Sequence, residues 1–240
     1  MRKVPKLKRL EHVQGGEARF LAGRYSRLSE ALRVARIAVE FVRGFRALHR
    51  IGPAVTVFGS ARFAEGHPYY MLAEKIGGAL ARTGITVITG GGPGLMEAAN
   101  RGAFRAGGQS VGASIQLPSE ERRNPYLNKS VTFSYFFVRK VILVKYSFGF
   151  VVMPGGFGTM DELMEALTLI QTGKLYDFPV ILVGVDYWSP FVTWIRGALL
   201  SRGTISASDM DYFALTDDVD EIIARIRATA ARIGALTSAE

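Results

Sequence analysis

The amino-acid sequence predicts an α/β protein: a doubly wound parallel sheet of about seven strands, preceded by an extra N-terminal helix. Three observations predict it. From Gly52-Pro53 onward, short β-branched runs alternate with segments of helical period. Several of those runs are apolar at every position, the pattern of strands covered on both faces. Two of them end in glycine-rich turns that open directly into helices.

Residues 1–24 (MRKVPKLKRLEHVQGGEARFLAGR) are basic, lack apolar periodicity and are broken by Gly15-Gly16. They read as a flexible arm, or as one that orders on a partner. Residues 25–50 read as an amphipathic helix, with its period running from Ser26 to Arg50. Val34, Ala35, Ile37, Ala38, Phe41, Val42, Phe45 and Leu48 share one side; Arg33, Arg36, Arg43, Arg46 and Arg50 take the other. The apolar stripe is expected to pack on the body or on a second subunit, and the arginines to be solvated.

Residues 51–240 read as one domain. Its first strand is AVTVFGSA (54–61), followed by a helix near Pro68–Thr83. GITVITGGG (84–92) is the second strand with its turn, and a helix runs from about Gly94 to Ala106. QSVGASIQL (109–117) and SVTFSYFF (130–137) read as the third and fourth strands, and Arg139–Tyr146 as a short helix. FGFVVMPGG (148–156) leads into a helix from Thr159 to about Gln171. PVILVGV (179–185), a helix over Trp188–Leu200, a short strand near Tyr212–Leu215 and a helix over Asp217–Arg232 close the chain.

Composition narrows the chemistry. Of 240 residues, 48% are hydrophobic and 21% charged, the balance of a globular protein. Zero cysteines exclude thiolate nucleophiles and Cys-ligated metals, and the three histidines (His12, His49, His67) lack ligand spacing, so no metal is expected. No run approaches the roughly 18 apolar residues of a membrane span and no signal-peptide core is visible, so a cytoplasmic location is expected. The first 50 residues hold 13 Lys/Arg against 4 Glu, whereas the remainder holds 17 of each sign. The net +9 therefore belongs to the N-terminal segment, which argues against nucleic acid as the partner of the body.

The two glycine turns carry the chemistry. Thr89-Gly90-Gly91-Gly92-Pro93-Gly94 precedes a helix bearing Glu97. Its spacing matches neither a dinucleotide fingerprint nor a Walker loop, and tight strand–helix packing explains its glycines as readily as a phosphate does. Pro154-Gly155-Gly156-Phe157-Gly158-Thr159 precedes Glu162. Thr159 and Glu162 stand three residues apart, so spacing alone reads them first as a capping box. If both turns meet the same edge of the sheet, one phosphate can lie between them, with Glu162 on the helix facing it. Arg139 and Lys140 supply the nearest cations, and Ser60 ends the first strand.

PGGFGTMDE (154–162) fits the PGGxGTxxE signature of the Lonely Guy proteins, also labelled possible lysine decarboxylases. GGGPGLM (90–96), VFGSAR (57–62) and VRK (138–140) accompany it in order, and the resemblance covers roughly residues 53–232. The chain resembles the longer bacterial branch. The resemblance implies a Rossmann-like sheet, a homo-oligomer with a dimer as its unit, and hydrolysis of the N-glycosidic bond of a nucleoside 5′-monophosphate, without a cofactor. It implies Arg139 and Glu162 as catalytic residues. Gly90, Gly91, Gly92, Gly94, Gly155, Gly156, Gly158 and Thr159 fall at phosphate and ribose contacts, with Ser60, Glu97 and Lys140 as further contacts. The alternatives are a non-catalytic nucleotide or molybdenum-cofactor carrier, and a pyridoxal-phosphate decarboxylase using Lys140 or Lys145. Base recognition is expected from the aromatic strand and the 116–130 loop.

Overall fold

The structure, a computed structural model, describes Glu17 and residues 27–116 and 124–235. The predicted arm thus lies almost wholly outside the described residues. Helix α1 spans Arg27–Leu48, followed by β1 (Ala54–Phe58), α2 (Pro68–Arg82), β2 (Thr86–Thr89), α3 (Leu95–Arg105) and β3 (Ser110–Ile115). Then come β4 (Lys129–Phe133), α4 (Phe136–Tyr146), β5 (Phe150–Val152), α5 (Phe157–Gln171) and β6 (Val180–Leu182). Helix α6 (Val185–Trp194) continues into a π-turn, and β7 (Phe213–Leu215) and α7 (Val219–Arg232) end the fold.

All seven strands are parallel, in the order β4-β3-β2-β1-β5-β6-β7. The doubly wound Rossmann-like fold is therefore as the sequence predicts. Strand β1 lies at the centre, pairing Thr56 with Ile88 of β2 on one side and with Phe150 of β5 on the other. The chain winds outward in both directions from that point, so the loops after β1 and β5 splay apart and open a crevice at the carboxyl edge. Both faces are covered, as the uninterrupted apolar runs require. Phe58, Ile88 and Phe150 pack under α1, α4, α5 and α6 through Leu48, Ile142, Leu163 and Trp188. Val55, Val57 and Val87 pack under α2, α3 and α7 through Ile76, Leu95 and Ile222.

Helix α1 departs from its expected stripe. Ile37, Phe41, Phe45 and Leu48 do pack on the sheet, but Val34, Ala35, Ala38 and Val42 are exposed. The helix is turned so that Glu40, which is buried, accepts the Ser134 N–H with both carboxylate oxygens at 3.0 and 3.1 Å. Gly44 completes that face, since a Cβ there would come within 2.8 Å of Ile142. The arginine side is not uniformly solvated either: Arg43 donates to the Thr132 carbonyl.

Three helix starts also differ from expectation: α6 begins at Val185 rather than Trp188, and the other two bear on the site. Helix α4 begins at Phe136 rather than Arg139, because the aromatic run stops being a strand at Phe133. The Glu40 contact ends the ladder at Ser134, and Glu17 accepts the otherwise orphaned Phe136 N–H at 3.0 Å. Helix α5 begins at Phe157 with Gly156 as N-cap, so Thr159 is its third residue and Glu162 lies in its second turn. Glu162 is no capping-box partner.

Candidate active site

The two glycine turns meet the same sheet edge, and the loop after β1 ties them together. The Ser60 N–H donates to the Pro154 carbonyl at 2.9 Å, and the Ser60 carbonyl accepts from Leu95 N, the first residue of α3, at 3.0 Å. Gly94 crosses this loop with φ +69°, where a Cβ would stand 2.5 Å from the Ser60 oxygen. Behind the first turn, Gly91 N donates to Thr89 Oγ1 and Thr89 in turn donates to Asn100 Oδ1, at 2.9 and 2.5 Å. Asn100 is fully buried and also engages Ser110 and Asn124. This network fixes the first turn from beneath, as a fully satisfied buried cluster can.

The second turn is pinned differently. Thr159 packs over Gly155, leaving 2.1 Å for any Cβ, and Tyr187 Oη donates to the Gly155 carbonyl at 2.7 Å. Gly156 and Gly158, by contrast, face open space, with nothing within 4 Å of a Cβ built on either. Packing thus explains Gly91, Gly94 and Gly155 but leaves Gly156 and Gly158 free for something else.

Between the turns lies a cavity of about 860 Å³. Ser60, Gly90, Gly155, Gly156, Gly158 and Thr159 line it, as do Arg139 and Glu162. Gly91, Gly92 and Gly94 are buried behind the turn instead. Glu97 sits off the wall and accepts from Tyr70 Oη at 3.3 Å. Lys140 is likewise off the wall, paired with Asp161 at 3.0 Å and Glu165 at 3.1 Å. Nor does Lys145 line it; its ammonium lies 5.6 Å from the Phe45 ring centroid. Among the described residues, no lysine lines this cavity to form a Schiff base. Among the described residues no cluster of three or more His, Asp or Glu is arranged to hold a metal.

Arg139 and Glu162 form the charged centre. Arg139 Nη2 donates to Glu162 Oε1 at 2.9 Å, with 13% and 3% of the two side chains exposed. The Arg139 guanidinium also lies 5.2 Å over the Phe136 ring. Glu162 Oε2 and Arg139 Nε are buried without a partner. Burial pushes the Glu162 carboxyl above its ordinary range; Arg139 and Lys140 oppose the shift, while Glu165 and Asp161 add to it.

The sequence reading missed much of the apolar wall. Tyr187, Trp188, Pro190 and Phe191, at the start of α6, line the cavity beside Phe136 and Phe157. Trp188 Nε1 is buried and unpartnered. A run of aromatics directly after a strand's carboxyl end was the available signal. Residues 117–123 of the loop expected to recognise the base lie outside the described residues, and 124–130 do not reach this cavity.

Residues 96–226 match the profile of a family described as possible lysine decarboxylase, which also bears the Lonely Guy name. The chain belongs to this family. A Lonely Guy relative from Rhodococcoides fascians, named cytokinin riboside 5′-monophosphate phosphoribohydrolase, is 30% identical over 72% of this chain and 89% of its own length. A protein of the same name from Mycobacterium tuberculosis (strain ATCC 25618 / H37Rv) is 33% identical over 63% of this chain and 82% of its own. Among solved structures, TM1055 matches with a TM-score of 0.56 at 27% identity, covering 73% of this chain and 99% of that one. A molybdenum cofactor carrier protein from Chlamydomonas reinhardtii gives 0.53 at 24% identity, covering 75% and 99%, a likeness of fold alone.

Proposed function

We propose that this Lonely Guy protein hydrolyses the N-glycosidic bond of a nucleoside 5′-monophosphate, cytokinin riboside 5′-monophosphate or AMP, releasing free base and ribose 5-phosphate. One observation carries the reading: a buried carboxylate, Glu162, presents an unpartnered oxygen on the wall of a cavity that also holds an uncapped helix N-terminus. The names of the two bacterial relatives support the same activity.

The 5′-phosphate sits at the start of α5. No side chain caps that helix, so its first N–H groups and the positive end of its dipole are available to an anion. Gly156 and Gly158 let the phosphate approach the backbone, and Thr159 borders it. Gly90 lines the opposite rim. The remaining predicted glycines act from behind, by shaping the first turn.

With the phosphate so fixed, the ribose falls against Glu162. Departure of the base takes the electron pair of the C1′–N bond and leaves positive charge on the sugar, as in an oxocarbenium-like transition state. An ionised Glu162 stabilises that charge and accepts a proton from the water that adds to C1′; the base takes its proton from solvent, and Glu162 returns one to solvent to close the cycle. Arg139 is a permanent cation and a poor proton donor. It holds Glu162 ionised and aimed, and its unpartnered Nε–H orients the substrate. Phe136, Tyr187 and Phe191 offer ring faces to the base, with Trp188 Nε1 as a buried donor. Exposed Phe137 and Val141 on α4, with Phe157 and Met164 on α5, supply an apolar surface that supports a homodimer. A cytoplasmic setting fits the described residues, in which no helix is long and apolar enough to cross a membrane.

Incubation with a panel of nucleoside monophosphates, followed by chromatography for free base and ribose 5-phosphate, tests the proposal. Equimolar release of the two from a purine monophosphate is expected. Tight binding with no release would favour a carrier.

A further inference from the structure

A second concavity, of about 580 Å³, opens at the far end of α4, where α1 finishes beside the edge strand β4. Phe45, Arg46, His49, Arg50, Lys129 and Tyr146 line it. No carboxylate is among them. Arg46, His49, Arg50 and Lys129 are all exposed, and none of these side chains has an ion pair or hydrogen bond among the described residues. A further cation, Lys145, lies 5.6 and 5.8 Å from the Phe45 and Tyr146 ring centroids that floor the hollow.

Structural reasons account for these residues only one by one. Basic side chains suit the carbonyl end of α1, which explains Arg46 and its neighbours in sequence. A lysine on an edge strand blocks unwanted pairing, which explains Lys129. Neither reason brings them from two separate elements around one hollow, where like charges repel. Convergence of that kind is stabilised by a compact, multiply charged anion. The volume falls in the range of small-molecule sites, about 300–1,000 Å³.

We infer that this hollow binds a polyphosphate group, carried by an inorganic polyphosphate or by a nucleoside triphosphate. A single phosphate offers too little charge for Arg46, Arg50 and Lys129 together with the neighbouring Lys145. An extended nucleic acid prefers cations strung along a track, whereas these meet at a point. The site is separate from the glycine-turn cavity, because Arg139 and Tyr146 stand seven residues apart on α4, roughly 10 Å along its axis. It does not depend on the proposed hydrolysis.

Isothermal titration of the full chain with tripolyphosphate, ATP, inorganic phosphate and a single-stranded oligonucleotide tests this, comparing wild type with Arg50→Glu/Lys129→Glu. The basic N-terminal segment is intact in both. Saturable tripolyphosphate binding is expected, weakened by about tenfold or more in the variant and by added salt. Inorganic phosphate should bind more weakly. Matching behaviour of ATP extends the site to nucleoside triphosphates; tripolyphosphate alone restricts it to inorganic chains. Equal affinity in the variant, no saturable binding, or binding of the oligonucleotide alone would overturn the proposal. Melting temperature and base release should be unchanged in the variant, and the milder Arg50→Gln/Lys129→Gln pair should shift affinity the same way by less.

Discussion

Arg139 and Glu162 join two helices through one hydrogen bond of 2.9 Å, yet each keeps a second buried polar atom with no partner. A purely structural ion pair satisfies its remaining donors and acceptors, since an orphaned buried polar atom costs about 1–3 kcal/mol. This pair is half-satisfied and stands on a cavity wall. That is the arrangement of groups held ready for a ligand.

The pH dependence follows from what surrounds Glu162. Its carboxyl must be ionised to act, and burial raises its pKa. The acid limb of kcat/KM should therefore lie above the ordinary carboxylate value of about 4.3. Lys140 pulls that pKa down, and it also screens Asp161 and Glu165. Lys140→Gln should move the acid limb to higher pH while leaving the plateau rate within a few-fold. A pH–rate profile decides it; an unmoved limb would mean that Glu162 is not the titrating group.

The glycines of the second turn should separate stability from binding. Gly155→Ala forces a Cβ into Thr159 and should lower stability by about 1–3 kcal/mol. Gly158 lies inside α5 with free space around it. Gly158→Ala should therefore raise stability by about 0.5–1 kcal/mol through helix propensity, while its methyl weakens nucleotide binding. Thermal melting alongside nucleotide titration reads both effects.

The first turn depends on a residue outside the cavity. Asn100→Ala leaves Thr89, Ser110 and Asn124 short of partners in a fully buried network. A loss of about 2–3 kcal/mol is expected, with KM rising more than kcat falls. Denaturant titration and steady-state kinetics check the two parts.

The strand–helix alternation was legible because a sheet covered on both faces writes itself as apolar runs. That both glycine turns share one sheet edge was a condition of the sequence reading, and the parallel pairing of β2 and β5 with β1 meets it. What escaped was decided by contacts distant in sequence. Phe136-Phe137 has strand propensity, but Glu40 takes the Ser134 N–H and Glu17 the Phe136 N–H, and a helix starts instead. The same Glu40 contact turns α1 away from its apparent stripe. Thr159 and Glu162 have capping-box spacing, but Gly156 already serves as N-cap, which carries Glu162 on to the cavity wall. The glycines looked alike in sequence, and only their neighbours tell packing from open space.

Glu162→Gln is the most direct test. Gln keeps the shape, can accept from Arg139, and removes a group whose raised pKa makes its ionised form less favourable in the fold. The contribution of Glu162 to stability is present below its unfolded pKa and lost as pH rises through its folded one. Loss of the charge also leaves the buried Arg139 cation without its counter-ion, so the two effects oppose each other and thermal melting must first show that the variant is folded. Base release from the preferred nucleoside monophosphate, measured beside nucleotide affinity, should fall by roughly a hundredfold or more with affinity held within a few-fold. Near-wild-type turnover by that folded variant would contradict the account.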